Sequence, residues 1–217
     1  MFELWGDSMN VNVLTTDSKI MLNIGGKQKL CLKKGNYDFI SSRIYALVGT
    51  PNESGYALSC LLAGLIDLGK NQIRVDANLL KLSELKEISC YIGCGQQGFF
   101  NKKLTVKQQV IKALKESSNP QSFDMIVDKF ALTPERLSRK FAYTGNEHWR
   151  ASIAIAYAAR KRIYCSPYID EQIWDDYLRL QLEIWIRMLR DEDCVVFLPV
   201  SGISKLCNLV DEVVNFH

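Results

Sequence analysis

The chain has 217 residues, enough for one sizeable hydrophobic core and a small additional lobe. Apolar residues make up 47% of the sequence and charged residues 24%, which is typical of a soluble globular protein. The net charge of +3 is too small to indicate nucleic-acid binding, and the short basic clusters are more typical of solvated faces.

The cysteines and the apolar segments indicate where the protein works. Seven cysteines occur without a repeated spacing, and no histidine or second cysteine pair completes a metal set with Cys90 and Cys94. An odd count without a secretory signal favours reduced thiols in the cytosol. The longest apolar stretches, such as Tyr56–Ile66, are interrupted or too short to cross a bilayer. We therefore expect a cytoplasmic protein without a metal site that reaches a membrane only through a partner.

The first half of the chain alternates strand and helix patterns, which predicts a largely parallel sheet covered by helices. The apolar run Ile44–Val48 is followed by Gly49 and predicts a buried strand that enters a loop. Apolar residues recur at helical spacing in Tyr56–Leu65. Ile73–Val75 and Ile88–Ile92 are further strand candidates.

The second half begins with a polar, helical segment over about residues 98–143, which we interpret as a helical subdomain inserted in the α/β core. Helices are then predicted over Asn146–Arg160 and Ile173–Arg190, the latter with two apolar stripes. The remaining strand candidates are Ile163–Cys165, Val195–Leu198 and Val213–Phe216. The sequence contains no low-complexity linker, so residues 1–217 are expected to form one domain.

The strand, loop and helix around Gly49 have the order of a phosphate-binding loop, in which backbone N–H groups and a helix N-terminus hold phosphates. The segment Ala46–Leu65 resembles, at both ends and without a gap, the Walker A segment of the ATP-binding cassette (ABC) transporter family. The remaining loop contacts to nucleotide would come from four residues: Gly49, Asn52, Ser54 and Gly55.

The interior of this loop departs from the family pattern. Gly55 stands where the family has its lysine, and a shift of one residue places Tyr56 there instead. Tyr56 and Ala57 replace the hydroxyl pair that holds magnesium, Glu53 adds a negative charge, and Pro51 lacks an N–H donor. A lost charge-assisted hydrogen bond costs about 1.5–3 kcal/mol. The resemblance therefore predicts weak or absent nucleotide binding by this loop.

Further parts of the cassette are similar in order and spacing from about Lys19 to Phe216. Leu32–Phe39 resembles the strand that leads into Walker A, and Ile24 replaces the aromatic ring that stacks on adenine. Gln96 lies at the Q-loop position, eight residues before Leu104. By resemblance, Gln96 would link the core to the helical subdomain that touches a permease.

The signature motif and its continuation are partly retained. Thr144, Gly145, Asn146 and Glu147 occupy the last four positions of the signature, and the helix candidate after them resembles its usual continuation. In the family these residues act on the ATP that is bound by the opposite subunit. The resemblance thus implies a role for them at a partner's ATP site.

The catalytic carboxylates and the switch histidine are missing. Pro167 and Tyr168 stand at the Walker B Asp-Glu positions, and Ser201 stands at the switch position. Asp170 and Glu171 lie three residues late, where they fit the start of a helix better than a catalytic role. Asp175 or Asp176 stands near the D-loop position.

Taken together, the resemblance implies an α/β P-loop NTPase (RecA-like) core with an N-terminal antiparallel β region and an inserted helical subdomain. The expected function is that of a catalytically degenerate ABC subunit, with no catalytic or metal-binding residue and no cofactor held by its own site. It would pair with an active ATPase subunit and a membrane permease on the cytoplasmic face, with ATP at the partner interface and a homodimer as the alternative assembly. Two other functions stay open: a divergent active ATPase that uses Asp170 and Glu171, and a scaffold or regulatory module.

Overall fold

A computed structural model describes residues 8–22, 28–94, 104–143, 147–174 and 178–216. The strands are β1 (Asn10–Thr15), β2 (Ser18–Leu22), β3 (Gln28–Leu32), β4 (Gly35–Ile40), β5 (Arg43–Val48), β6 (Gln72–Val75), β7 (Asn78–Leu79), β8 (Ser89–Tyr91), β9 (Ile163–Cys165), β10 (Val195–Val200) and β11 (Glu212–Asn215). The α-helices are α1 (Ser54–Leu62), α2 (Leu82–Ile88), α3 (Val106–Glu116), α4 (Phe123–Lys129), α5 (Pro134–Ser138), α6 (His148–Ala158), α7 (Glu171–Ile173) and α8 (Arg179–Asp191).

The larger sheet is parallel and has the strand order β11-β5-β10-β9-β8. Every residue of β10 is buried, as expected for a central parallel strand covered on both faces. Alternate residues of β5 enter two different cores: Ile44 and Ala46 pack on one side of the sheet, while Tyr45 and Leu47 pack on the other. The predicted parallel sheet is therefore confirmed.

The N-terminal β region is antiparallel, as predicted. It consists of a four-stranded sheet with the order β4-β1-β6-β7 and a β2–β3 hairpin. The stretch Leu32–Phe39, compared above with one strand, instead spans the end of β3 and most of β4. The chain turns at Lys33 and Lys34, where the Thr15 hydroxyl donates to the Lys33 carbonyl and Asp17 accepts the Lys34 N–H.

The helices between Leu104 and Tyr143 begin at side-chain caps. Thr105 and Gln108 form a capping box at α3, Ser122 caps α4, and Thr133 caps α5 just before Pro134. α3 and α4 pack on α6 around a shared apolar core. The described part of the predicted 98–143 subdomain is thus helical, while its boundaries stay a prediction because residues 98–103 lie outside the described ranges.

Three helix predictions differ from the structure at their ends, and the first, Asn146–Arg160, corresponds to the shorter α6, His148–Ala158. α1 begins two residues before Tyr56 and ends at Leu62, because Gly64 adopts a positive φ of 67° and breaks the helix. The predicted helix Ile173–Arg190 corresponds to the end of α7 and most of α8, with residues 175–177 between them outside the described ranges. Within the described ranges, no helix has the length and apolar character needed to span a membrane.

Candidate phosphate-loop site

The candidate site lies at the carboxyl ends of three neighbouring strands of the parallel sheet, β5, β10 and β9. Gly49 follows β5 and donates its N–H to the Val200 carbonyl of β10 at 3.0 Å. Ser166 follows β9 and donates to the Phe197 carbonyl of β10 at 2.9 Å. The phosphate-loop, Walker B and switch positions therefore lie side by side, at the end of the sheet where open α/β proteins bind ligands.

Within the loop of residues 49–53, the Glu53 carboxylate binds a backbone N–H of the same loop. Glu53 Oε2 accepts the Thr50 N–H at 2.8 Å and lies 3.2 Å from where a Cβ on Gly49 would be. Glu53 is also the N-cap residue of α1, although its side chain makes no capping bond to that helix. A carboxylate beside a helix N-terminus occupies the kind of place where a phosphate would be stabilised.

Few backbone donors of the loop remain for a phosphate. The N–H groups of Gly49, Thr50 and Glu53 donate to Val200, to the Glu53 carboxylate and to the Thr50 carbonyl. Pro51 has no N–H at all. Of the four N–H groups in residues 49–53, three are therefore engaged within the protein and only that of Asn52 is left for a phosphate.

Three of the loop residues predicted to contact nucleotide make contacts within the fold, with the β2–β3 segment or with β5. The Asn52 carbonyl accepts the Cys31 N–H at 3.0 Å. Ser54 is fully buried, and its hydroxyl accepts the Lys33 N–H at 2.9 Å. At Gly55 a Cβ would lie 2.9 Å from the Leu47 carbonyl, so glycine allows α1 to pack closely on β5. Each of these three positions has a structural role in the fold.

Tyr56, which falls at the lysine position in the shifted register, is a buried phenol. Tyr56 is 7% exposed, its hydroxyl hydrogen-bonds the Tyr91 hydroxyl at 3.1 Å, and its ring meets Tyr168 edge-on. Burial raises the pKa of Tyr56 to about 12, against the smaller opposing effect of the Tyr91 hydrogen bond. The side chain is therefore neutral at physiological pH and supplies no positive charge to a phosphate.

The residue at the catalytic glutamate position covers the loop. The Tyr168 hydroxyl donates to the Gly49 carbonyl at 3.0 Å, which joins the segment after β9 to the phosphate loop. Burial raises the pKa of Tyr168, although its hydrogen bond with Ser201 acts in the opposite direction. A neutral phenol that is bonded to a backbone carbonyl has no basic group with which to polarise an attacking water.

Asp170 and Glu171 are engaged at helix and loop ends. Asp170 is the N-cap of α7, and its carboxylate accepts the Gln172 N–H at 2.9 Å. Glu171 accepts the Ser204 hydroxyl at 2.9 Å and the Lys205 N–H at 3.2 Å. These contacts are those of a structural helix start, the interpretation that the sequence favoured for this pair.

The signature and Q-loop predictions fall mostly outside the described residues. This is true of Gln96, Thr144, Gly145 and Asn146, as well as of Ile24, Asp175 and Asp176. Glu147 is described, and its carboxylate pairs with Arg136 and Arg150. The Glu147 carboxylate therefore joins α5 to the first turn of α6.

Several contributors to the site could not be found from sequence spacing. Tyr91 comes from the strand before the Q-loop position, and Phe216 comes from the end of the described chain, yet both pack at this end of the sheet. Within the described ranges, no group of three or more His, Cys, Asp or Glu side chains is arranged to hold a metal ion.

The chain is a mixed α/β protein with a parallel sheet and an antiparallel β region, a fold that it shares with a solved ATP-binding cassette. The structure is similar to that of MJ1267, an ATP-binding cassette of an ABC transporter, in its ADP conformation, with a TM-score of 0.66 and 12% sequence identity. The alignment covers 96% of this chain and 87% of that one. No protein-family model matches the sequence, and no curated protein matches it either.

Proposed function

We propose that this chain is a catalytically degenerate cassette subunit of an ABC transporter. Its P-loop NTPase (RecA-like) core, suggested by the strand order with β10 between β5 and β9, would serve shape and contacts rather than ATP turnover. One observation carries the proposal: the Glu53 carboxylate accepts a loop amide that a phosphate would need. The cassette fold supports a role in an ABC transporter, and the hydrogen bond from the Thr50 N–H to the Glu53 carboxylate supports the loss of activity.

The chemistry that hydrolysis requires has no source among the described loop residues. The lysine position holds Gly55 in the gapless register and the neutral Tyr56 in the shifted one, and the Walker B and switch positions hold Pro167, Tyr168 and Ser201. Phosphoryl transfer depends on cations, a held metal and an oriented water, because the protein stabilises charge rather than forming bonds. The divergent-ATPase alternative needs Asp170 or Glu171 to supply these functions, and their capping contacts argue against that.

The proposed assembly is a heterodimer with an active ATPase subunit, docked on the cytoplasmic face of a membrane permease. Thr144, Gly145, Asn146 and Glu147 would face the partner's ATP, and Gln96 with the segment 98–143 would connect to the permease. A homodimer is the alternative, and a scaffold without a permease is the other class of function.

The assembly is tested by purifying the tagged chain in mild detergent from the cells that make it. We expect an ATPase subunit and a membrane protein to co-elute with it in fixed stoichiometry. A chain that elutes alone, or as a homodimer without a membrane protein, would contradict the heterodimer proposal.

A further inference from the structure

A cleft of about 860 Å³ lies at the edge of the parallel sheet, away from the phosphate loop. Its walls come from β8, from α2 just before it, and from the facing helices α3 and α6. Ala63, just after the last residue of α1, also lines the cleft, whereas the phosphate loop lies at the start of that helix. The nine residues of α1 span about 14 Å, so the cleft and the phosphate loop lie at opposite ends of that helix, although Tyr91 of the cleft lining reaches Tyr56 beside the loop.

The lining of this β8-edge cleft carries an excess of positive charge. Its cations are Lys86, Lys112, Arg160 and Lys161, and its carboxylates are Glu87 and Glu116. Lys112 pairs with Glu116 at 3.3 Å. Glu87 is exposed and acts on Lys161 only through its longer-range charge. The lining thus holds four cations and two carboxylates, in a cleft partly screened from water.

Lys161 is a partly buried cation of this lining. Its ammonium donates to the Lys86 carbonyl, and no carboxylate lies within ion-pair distance of it among the described residues. Burial lowers the pKa of Lys161, which means that the surroundings disfavour the charged form more than Cys90 and Glu87 favour it. A bound anion beside this ammonium would restore the missing compensation.

A buried hydroxyl in the same lining also lacks a partner. Ser89 is 6% exposed, and its Oγ has no hydrogen bond within the described structure. The other two serines of the cleft are satisfied, since Ser152 donates to the Cys94 carbonyl and Ser117 to the Ala158 carbonyl, each at 2.8 Å. Buried hydroxyls are nearly always paired, so an orphan beside a cationic cleft points to a ligand oxygen.

We propose that the β8-edge cleft binds a small organic anion, with its carboxylate or phosphate group beside Lys86 and Lys161. The apolar part of this ligand would lie on Ala113, Ile155 and Ala156, which form the uncharged floor. The volume and the mixture of an apolar floor with a few convergent polar groups are those of ordinary small-molecule sites. The site is argued from its own lining and not from the cassette function, although its α3 wall belongs to the segment 98–143 that is proposed above to connect to the permease.

The test uses phenyl phosphate and benzoate as probes for the two anionic groups, with phenol as the uncharged control. Binding to the full chain is followed by titration calorimetry and by amide chemical shifts. We expect saturable binding of at least one anion, shifts at Ser89, Ala113 and Ala159, no binding of phenol, and weaker binding as salt increases.

Two substitutions place the anion in the cleft. Lys86 is exposed, and its ammonium forms no ion pair within the described part of the chain, so Lys86→Gln should keep the fold and weaken binding about fivefold. Lys115→Gln is the matched control, because Lys115 is an exposed lysine of α3 outside the cleft lining. Ala159→Leu should narrow the cleft and weaken binding as well.

Three results would overturn the proposal. They are the absence of saturable binding of either anion, equal effects of Lys86→Gln and Lys115→Gln, and chemical shifts confined to residues 49–55. The last result would place the anion in the phosphate loop and would count against the proposed function too, whereas the first two would leave that function untouched.

Discussion

Replacing Glu53 by glutamine should make the phosphate loop a better anion site without making it a catalyst. Any phosphate oxygen that takes the Thr50 N–H must first displace Glu53 Oε2, which accepts that N–H at 2.8 Å. A hydrogen bond to a charged group contributes about 1.5–3 kcal/mol. The displaced carboxylate would still repel the phosphate, by about 2 kcal/mol per charge at roughly 8 Å with an effective dielectric constant near 20.

Salt and partial exposure reduce these two contributions, so we expect a net gain of about 1.4 kcal/mol, which is a tenfold lower Kd for Mg-ATP. Isothermal titration calorimetry at physiological salt measures it, with phosphate release measured in parallel. Turnover should stay at the buffer level in both proteins, because the substitution restores neither a cation nor a catalytic carboxylate.

The matched control is Glu84→Gln. Glu84 accepts the N–H of Lys81, three residues before it, at 2.7 Å, so it makes the same kind of contact at the start of a different helix. This control should leave ATP binding unchanged. A wild-type protein that binds Mg-ATP as tightly as the Glu53→Gln variant would refute the argument that the carboxylate blocks the loop.

Tyr56→Phe should reduce the loss of unfolding free energy at alkaline pH. The folded pKa of Tyr56, about 12, lies above its ordinary value of 10.0. The neutral phenol's contribution to stability is therefore complete below pH 10 and is lost as the pH rises towards 12. Chemical denaturation at pH 8 and at pH 11 measures this, with the exposed Tyr143→Phe as control; an unchanged pH dependence would show that Tyr56 is not buried as a neutral phenol. Gly55→Ala should lower the free energy of unfolding by about 1–3 kcal/mol, because its Cβ would lie 2.9 Å from the Leu47 carbonyl, and a variant of wild-type stability would contradict that close packing. The double substitution Asp170→Asn with Glu171→Gln should leave the ATPase activity of the purified complex unchanged while lowering its melting temperature, and a loss of activity at unchanged stability would favour the divergent-ATPase alternative.

Sequence patterns predicted the parts of the fold that depend on periodicity. β5 and β10 are long apolar runs, so their burial in a parallel sheet followed from composition alone. The turn at Lys33 and Lys34 was missed because the side chains that hold it, Thr15 and Asp17, come from a distant part of the chain. Local propensity carries no information about such partners.

The sequence predicted which catalytic residues of the family are missing from the candidate site, but not the contacts made by the residues that stand in their place. The missing lysine, carboxylates and histidine could be read from alignment to the family pattern, since each has a fixed position. The contacts of Tyr168 with Gly49 and of Tyr56 with Tyr91 could not, because they join segments 119 and 35 residues apart. Glu53 was recognised as an adverse charge, whereas its bond back to Thr50 depends on the local loop geometry.

Phosphate release from Mg-ATP by the purified chain tests most directly whether its own loop turns over nucleotide. We predict release at the rate of buffer alone, at every protein concentration and at ATP concentrations in the millimolar range. Release that increases in proportion to protein concentration and disappears on Asp170→Asn with Glu171→Gln would contradict the account, because it would show a working catalytic carboxylate at this site.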